Sequence, residues 1–374
     1  MRAGQYQFTE QGWTLIGGQE PSHPDLVAVF SSAEPAVLRG AMAALRAGFP
    51  EAQIVGSTTS GELIDGRVLD GSIVAVALQF DTAHVHAHSV KIGTRRDSFA
   101  AGRRLGQAIG APALKGVLLL AEGIDCDGSQ LLSGLCDVIG DDVPVFGGLA
   151  GDGIDFVVTR VAANGPFESG QAVAVGFYGK GLTIAQGLGG GWVAEQAIGA
   201  ISNSSGSIIY EIDHRPALDV LRQAARLSKQ IAYRELLTAP LWIADPARQA
   251  CGIIRTVVGV DEARGSLVMA GDLPRNGVCS LMGTSTEALA ESAAEAAAEA
   301  HASAKSGLAF LVSCVGRKQM LGAAAPAEAL AVKQVLRDML QIGFYAYGEI
   351  ARSGPTSRLH NQTMCITILD EASR

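Results

Sequence analysis

Aromatic side chains are scarce in this chain, 5% of 374 residues, and its six cysteines include no CxxC pair. Cys126, Cys136, Cys251, Cys279, Cys314 and Cys365 are dispersed, mostly in apolar stretches. That pattern reads as reduced thiols of a cytoplasmic protein and gives no structural zinc site. No apolar run is long enough to span a bilayer; the alanine-rich stretch Thr286 to Ala304 carries four glutamates. The start, MRAGQYQFTEQGW, has no charged segment leading into an apolar run, so no secretory signal is expected. Basic residues are in deficit, with a net charge of −8, which argues against nucleic acid and anionic membranes as partners. There is no P-loop, no GxGxxG after a first strand, no HExxH and no GxSxG.

What the chain does have is a 48% hydrophobic content, ample for a large core, and 46 glycines without a fibre period. The length suggests two to three domains. Residues 1–24 read as an irregular lead-in. Beyond them the same order of events comes three times. Strand Leu26 to Phe30, a helix over Glu34 to Ala47 and the loop VGSTTSGE form the first unit. Strand Gly116 to Ala121, a helix over Ser129 to Ile139 and VFGGLAGD form the second. Strand Gly307 to Cys314, a helix over Pro326 to Leu340 and IGFYAYGE form the third. Each loop ends in a glycine and an acid: Gly61-Glu62, Gly151-Asp152 and Gly348-Glu349. Internal repetition of strand–helix–strand modules predicts an α/β protein, with the three loops at equivalent, neighbouring places.

Between the second and third modules the pattern changes to hairpins. Gly187 to Gly191 reads as a turn against Trp192, Pro216 to Glu235 as one helix capped by Asp213, and Gly252 to Met282 as a meander with a turn at Pro274-Arg275-Asn276-Gly277. A domain boundary is placed at 215/216, giving two domains, 25–215 and 216–374.

Candidate site residues gather in Gly343 to Thr363, where Tyr345, Tyr347, Glu349, Arg358, His360 and Asn361 mix aromatic, acidic and hydrogen-bonding groups around strand ends. A loop capping a sheet edge is the alternative. Arg317, at the end of a buried strand, could grip a carboxylate. With Arg317, Tyr347, Glu349 and His360 in one pocket, a Glu349 buried beside an arginine would stay ionised. Cys314 with His360 as base would make a nucleophile, but buried cysteine is the commoner reading. His84, His86 and His88 share a strand face, which reads as an exposed face rather than a metal site. His214 stands at the start of a helix, where it would cap or lie on the surface, or reach an interdomain cleft as an iron ligand.

The segments GGLAGDG, VGFYG, GW, YEIDHRPAL, SCVGR, GFYAYGEI and HNQT, in that order over nearly the whole chain, resemble the FIST sensory proteins. The resemblance implies an N-terminal FIST domain, a C-terminal FIST_C domain and a non-catalytic signal-input role with a small ligand such as an amino acid. Chains without a fused output domain are similar to the haem-binding, nitric-oxide-sensing subset, which would bring haem b and a partner histidine kinase or cyclic-di-GMP enzyme (a diguanylate cyclase or phosphodiesterase). Homodimerisation is compatible with it. The family usually has glycine or a small polar residue where this chain has His214, and that departure makes His214 the expected iron ligand, with Arg215 for the propionates. His360 belongs to the general motif and would serve a site shared by all members. The alternative is a carboxylate sensor without haem, using Arg317, Tyr347, Glu349, Arg358, His360 and Asn361.

Overall fold

The computed structural model describes residues 1–110, 112–245, 252–274 and 277–371. Cys251 and the Arg275-Asn276 part of the expected turn lie outside the described residues.

The lead-in is not irregular. β1 (Arg2–Thr9) and β2 (Gly12–Gly18) form a hairpin on the edge of the first sheet. The first module continues with β3 (Leu26–Ser31), α1 (Pro35–Gly48), β4 (Gln53–Thr58), β5 (Glu62–Ile64), β6 (Arg67–Leu69) and β7 (Ile73–Gln79). The second comprises β8 (His84–Lys91), α2 (Ser98–Ile109), β9 (Leu114–Ala121), α3 (Gly128–Ile139), β10 (Val145–Leu149), β11 (Val161–Ala163) and β12 (Gln171–Tyr178). The third opens with β13 (Leu182–Gly189) and is then interrupted by the hairpin-rich segment. That segment holds β14 (Val193–Ser205), β15 (Ile208–Ile212), β16 (Arg215–Pro216), α4 (Ala217–Ala224), α5 (Tyr233–Leu237), β17 (Leu241–Ala244), β18 (Ile253–Arg255), β19 (Val257–Asp261), β20 (Ser266–Met269) and β21 (Val278–Gly283). The third module resumes with α6 (Thr286–Ser303), β22 (Leu308–Cys314), α7 (Val315–Leu321), α8 (Pro326–Leu336), β23 (Leu340–Ala346), β24 (Gly348–Ser353), β25 (Thr356–His360) and β26 (Met364–Glu371).

The expected repeat is present and has a cyclic form. Each module centres on a parallel pair, β3–β4, β9–β10 or β22–β23, flanked by an antiparallel last strand. Their continuous apolar runs suit strands covered on both faces. After each pair the chain leaves its own sheet. β5 pairs with β23, β11 with β4, and β24 with β10, so every module lends a strand to another. The three glycine–acid loops are the crossing points. They bond to one another through Ser60 N–H to Tyr345 O (2.9 Å), Gly151 N–H to Thr58 O (3.0 Å) and Tyr347 N–H to Leu149 O (3.1 Å). The inner sheet faces share one core in which Phe30 stacks on Phe344 (4.7 Å) and Phe146 meets Phe310 (5.8 Å). Phe80 and Phe177 belong to the same core.

The glycine-rich 187–189 stretch is strand, not turn. A Cβ at Gly187 or Gly189 would collide with the Ala296 or Ser292 carbonyl of α6, so glycine lets strand and helix backbones touch. The expected helix over 216–235 is two short ones, with Arg226 at φ 54 after the first. Ile201, Ile209 and Ile212 pack with Leu218 and Leu221 in a single core that runs across residue 215. Residues 193–283 stand as an insertion in the third module, between β13 and α6.

Candidate ligand cleft

A cleft of about 870 Å³ opens where α3, the β24–β25 hairpin and the insertion meet. On β25 the strand alternation turns Arg358 and His360 to the cleft. Asn361 follows at its end, bonded to the Thr256 N–H (3.3 Å) and the His360 carbonyl (2.8 Å). From α3 come Ser129 and Leu132, and from the insertion Trp242, Arg255 and Asp272.

Arg255 dominates the electrostatics. It is 5% exposed. Its guanidinium donates to the carbonyls of Asp272 (2.9 Å), Leu359 (3.1 Å) and Ile254 (3.3 Å). Among the described residues no carboxylate lies within ion-pair distance, and Nη2 has no acceptor. Gly271, at φ 125, makes room for it: a Cβ there would stand 3.2 Å from the guanidinium carbon. Burial pulls its pKa down to about 10, against the pull of Asp272, Asp127 and Glu349, which leaves it a cation at neutral pH. A buried charge without an ion-pair partner carries a desolvation penalty of several kcal/mol. Asp272 accepts from Gln130 Nε2 (2.7 Å) and still lines the cleft.

The His360 ring is enclosed although the residue as a whole is half-buried. Burial drives its pKa down to about 4; the hydrogen bond to Ala351 opposes this and Arg255 and Arg358 add to it. Nε2 faces the Ala351 carbonyl at 3.2 Å and must donate, so Nδ1 is the acceptor of a neutral imidazole.

The cleft brings together Arg358, His360 and Asn361 but not Arg317, Tyr347 or Glu349. Arg317 is fully buried and grips its own chain, with Nε to Glu328 Oε2 (3.0 Å), Nη1 to Gly190 O (2.6 Å) and Nη2 to Leu289 O (2.8 Å). The Tyr347 hydroxyl donates to Asp152, and its ring stacks on Phe156 at 4.0 Å. Glu349 lies beneath the hairpin, accepting from Thr363 N (3.1 Å) and Oγ1 (2.9 Å), with Oε1 unbonded. Among the described residues no arginine pairs with it, so the condition for an ionised Glu349 is not met. Burial raises its pKa to about 8, more than the bonds from Thr363 and Cys314 and the charge of Arg317 can offset. The folded protein therefore holds a proton that the unfolded chain releases above about pH 4.5, so this group's contribution fades as pH rises from 4.5 through 8. Glu349→Gln mimics the protonated form. It is expected to unfold at a higher urea midpoint than wild type at pH 9, by a few kcal/mol, with the difference shrinking toward pH 5. A constant difference across pH would contradict this.

Cys314 is buried, its thiol held well above the ordinary range by burial and by Glu349, and no hydrogen bond links it to His360, an arrangement unsuited to a nucleophile. His84 and His86 are exposed, His84 stacks on Tyr178 at 5.0 Å, and no group of three metal-binding side chains occurs among the described residues.

His214 and Arg215 do not reach a cleft; both are exposed. Asp213 and His214 are the two central residues of the β15–β16 hairpin, at φ 49 and 59. Two successive positive φ values are the mark of a type I′ turn, which explains why glycine suits this position. The isoleucines before His214 do not shape a slot: Ile209 and Ile212 face the insertion's core. His214→Gly is expected to keep the fold and raise stability by up to about 1 kcal/mol, read as a shift in thermal midpoint; a cooperative loss of structure would show a role the turn does not explain.

The sequence reading missed Arg255 and Asp272. A signal was present, since Arg255 interrupts the apolar run Ile253-Ile254-Arg255-Thr256-Val257.

Fold and cleft define a three-module α/β protein with a ligand-sized cavity at the junction of its parts. The FIST N domain model matches residues 25–215 and the FIST C domain model residues 217–352. The chain belongs to the FIST family, whose domains are sensory modules of signal transduction that bind small ligands. Arg358, His360 and Asn361 lie beyond the matched C-terminal stretch. No curated protein matches the chain. No helix among the described residues is long and apolar enough to cross a membrane.

Proposed function

We propose that this protein senses a small carboxylate, of which an amino acid is the simplest case, bound in the cleft beside Arg255. The observation that carries the reading is a buried guanidinium that has, among the described residues, no acceptor on Nη2 and no carboxylate within ion-pair distance. A ligand carboxylate on Nη2, with Arg358 at the rim, supplies that charge. Asp272 and the Ser129 hydroxyl are placed to take an ammonium group. The ligand would touch α3, the β24–β25 hairpin and the insertion together, so occupancy would bias how the insertion sits on the modules. A partner histidine kinase or cyclic-di-GMP enzyme would read that bias. The test is a thermal-shift screen of the twenty amino acids and simple dicarboxylates on extensively dialysed protein. One or a few should raise the midpoint with a concentration dependence set by mass action; a flat response to all of them sinks the reading.

A second reading, haem b and nitric oxide sensing, is favoured by the His360 imidazole, which is neutral and keeps Nδ1 as an acceptor. Trp192, Trp242 and Leu132 give apolar walls and Arg358 a cation for a propionate. The residues present fit haem at His360 and do not fit it at His214. Bound haem would supply an iron that takes the gas, while the chain holds the ring, excludes water and offers the imidazole nitrogen. Reconstitution should then yield a Soret band that His360→Ala loses and His214→Ala keeps; a colourless wild-type protein removes this reading.

A further inference from the structure

The cyclic exchange of strands makes three helix faces equivalent: those of α1, α3 and α8 that meet the strand lent by another module. On α3 this face (Leu132, Ser133, Cys136, Asp137) lines the cleft already described. On α8 it is closed. The Asp65-Gly66 turn lies directly on it, Asp65 pairs with Lys333, and a Cβ on Gly66 would stand 3.1 Å from that lysine's own Cβ. On α1 the corresponding face (Leu38, Arg39, Met42, Ala43) is open, and borders a cavity of about 1120 Å³ at the carboxyl ends of β3 and β4. Carboxyl ends of parallel strands are where open α/β sheets bind ligands.

We propose that this second cavity binds an organic anion with an apolar body and a hydroxyl group, at a site separate from the Arg255 cleft. Arg160 is half-buried in its wall and has no hydrogen-bond or ion-pair partner for its side chain among the described residues. The nearby acids are committed elsewhere. Asp152 accepts from the N–H groups of Phe156 (2.9 Å), Val157 (2.8 Å) and Val158 (2.7 Å) and from Tyr347, and Asp70 pairs with Lys318. Glu34 and Asp155 are exposed at the rim, as is Arg39. On the floor, Ser32 (2.9 Å) and Thr59 (2.5 Å) both donate to the Glu62 carboxylate. Their protons are used; the Ser32 oxygen remains an acceptor, and Thr59 Oγ1, which already accepts from the Gly61 N–H (3.1 Å), keeps one lone pair, which suits a ligand hydroxyl. Burial also holds Glu62 up to about 7, against the bonds it receives. The opposite wall is apolar, from Leu38, Met42, Val158 and Phe167; Gly56 lacks the side chain that would collide with the Phe167 ring.

The probe is 3-phenyllactate, which carries a carboxylate for Arg160, a hydroxyl for the floor and a phenyl ring for the wall. Binding is read by calorimetry and by saturation-transfer NMR on the full chain. Saturable binding is expected, weakened about tenfold or more in Arg160→Met and lost in Ala43→Trp, which fills the cavity from an exposed helix position, with thermal midpoints confirming that both variants fold. Hydrocinnamate, without the hydroxyl, should bind more weakly. Arg255→Met should bind phenyllactate as wild type does. Absence of saturable binding overturns the proposal, as does binding indifferent to Arg160→Met and Ala43→Trp. Loss in Arg255→Met alone would move the ligand to the first cleft. Failure of the amino-acid screen with phenyllactate still bound would remove the first function and leave this site standing.

Discussion

Arg317→Met is expected to lower unfolding stability by about 3–5 kcal/mol, the largest effect of any single substitution considered for this chain. Arg317 and Glu328 are both fully buried and form an ion pair at 2.9 Å. The same guanidinium satisfies carbonyls of Gly190 and Leu289, tying α7 to β13 and α6, while Glu328 also accepts from Ser313 (3.0 Å). Removing the arginine leaves a carboxylate in the core without its counter-charge. That loss is a large share of the 5–15 kcal/mol typical of a folded domain. Urea unfolding should show a lower midpoint. The double variant Arg317→Met/Glu328→Met should recover much of it, because replacing a whole buried pair by apolar groups is far less disruptive than breaking it. Lysine is no substitute, since one ammonium cannot serve acceptors spread around a planar fork. An Arg317→Met protein of wild-type stability that fails to bind a ligand would restore the ligand-gripping role expected from sequence.

Arg255→Met is expected to have the largest effect on binding: loss of the thermal shift produced by whichever amino acid or dicarboxylate stabilises wild type. Truncating one partner of a buried, hydrogen-bonded charge pair costs about 2–5 kcal/mol, a factor of tens to thousands in affinity. The contrast between the two arginines lies in their partners. Arg317 is satisfied by its own chain, and Arg255, which lines the cleft, has no acceptor on Nη2 among the described residues. Arg358→Met, at the exposed rim, should weaken the same shift only slightly. A full shift in Arg255→Met would exclude a carboxylate at this position.

Much of the architecture was legible because it rests on local pattern. The three continuous apolar strands, their helices and the glycine–acid loops are each readable within about forty residues, and their recurrence implied equivalent surroundings. The cap of α6 is equally local: the Ser285 side chain accepts from the Ala288 N–H (3.1 Å). The lead-in was misread because β1 is held by pairing with β7, a partner some seventy residues away, and β2 in turn pairs with β1. A change of pattern marks where the insertion's strands turn, but only packing shows that Ile212 and Leu218 share a core.

The sequence by itself determined the α/β class, the threefold repeat, the family and the His360 segment, since period, turn chemistry and motif order are properties of the chain alone. Only the tertiary structure decided which charges are free. Arg317 and Arg255 both stand beside β strands in apolar sequence, and nothing local separates them. One meets Glu328 on the next helix and the other meets an open cavity, because the strands that modules lend one another, and the insertion laid over α3, set who faces whom across long stretches of chain. Desolvation then acts on that arrangement. It makes the paired arginine a structural tie, leaves Arg255 a buried cation at the cleft, and makes Glu349 a carboxylic acid near neutrality and His360 a neutral imidazole.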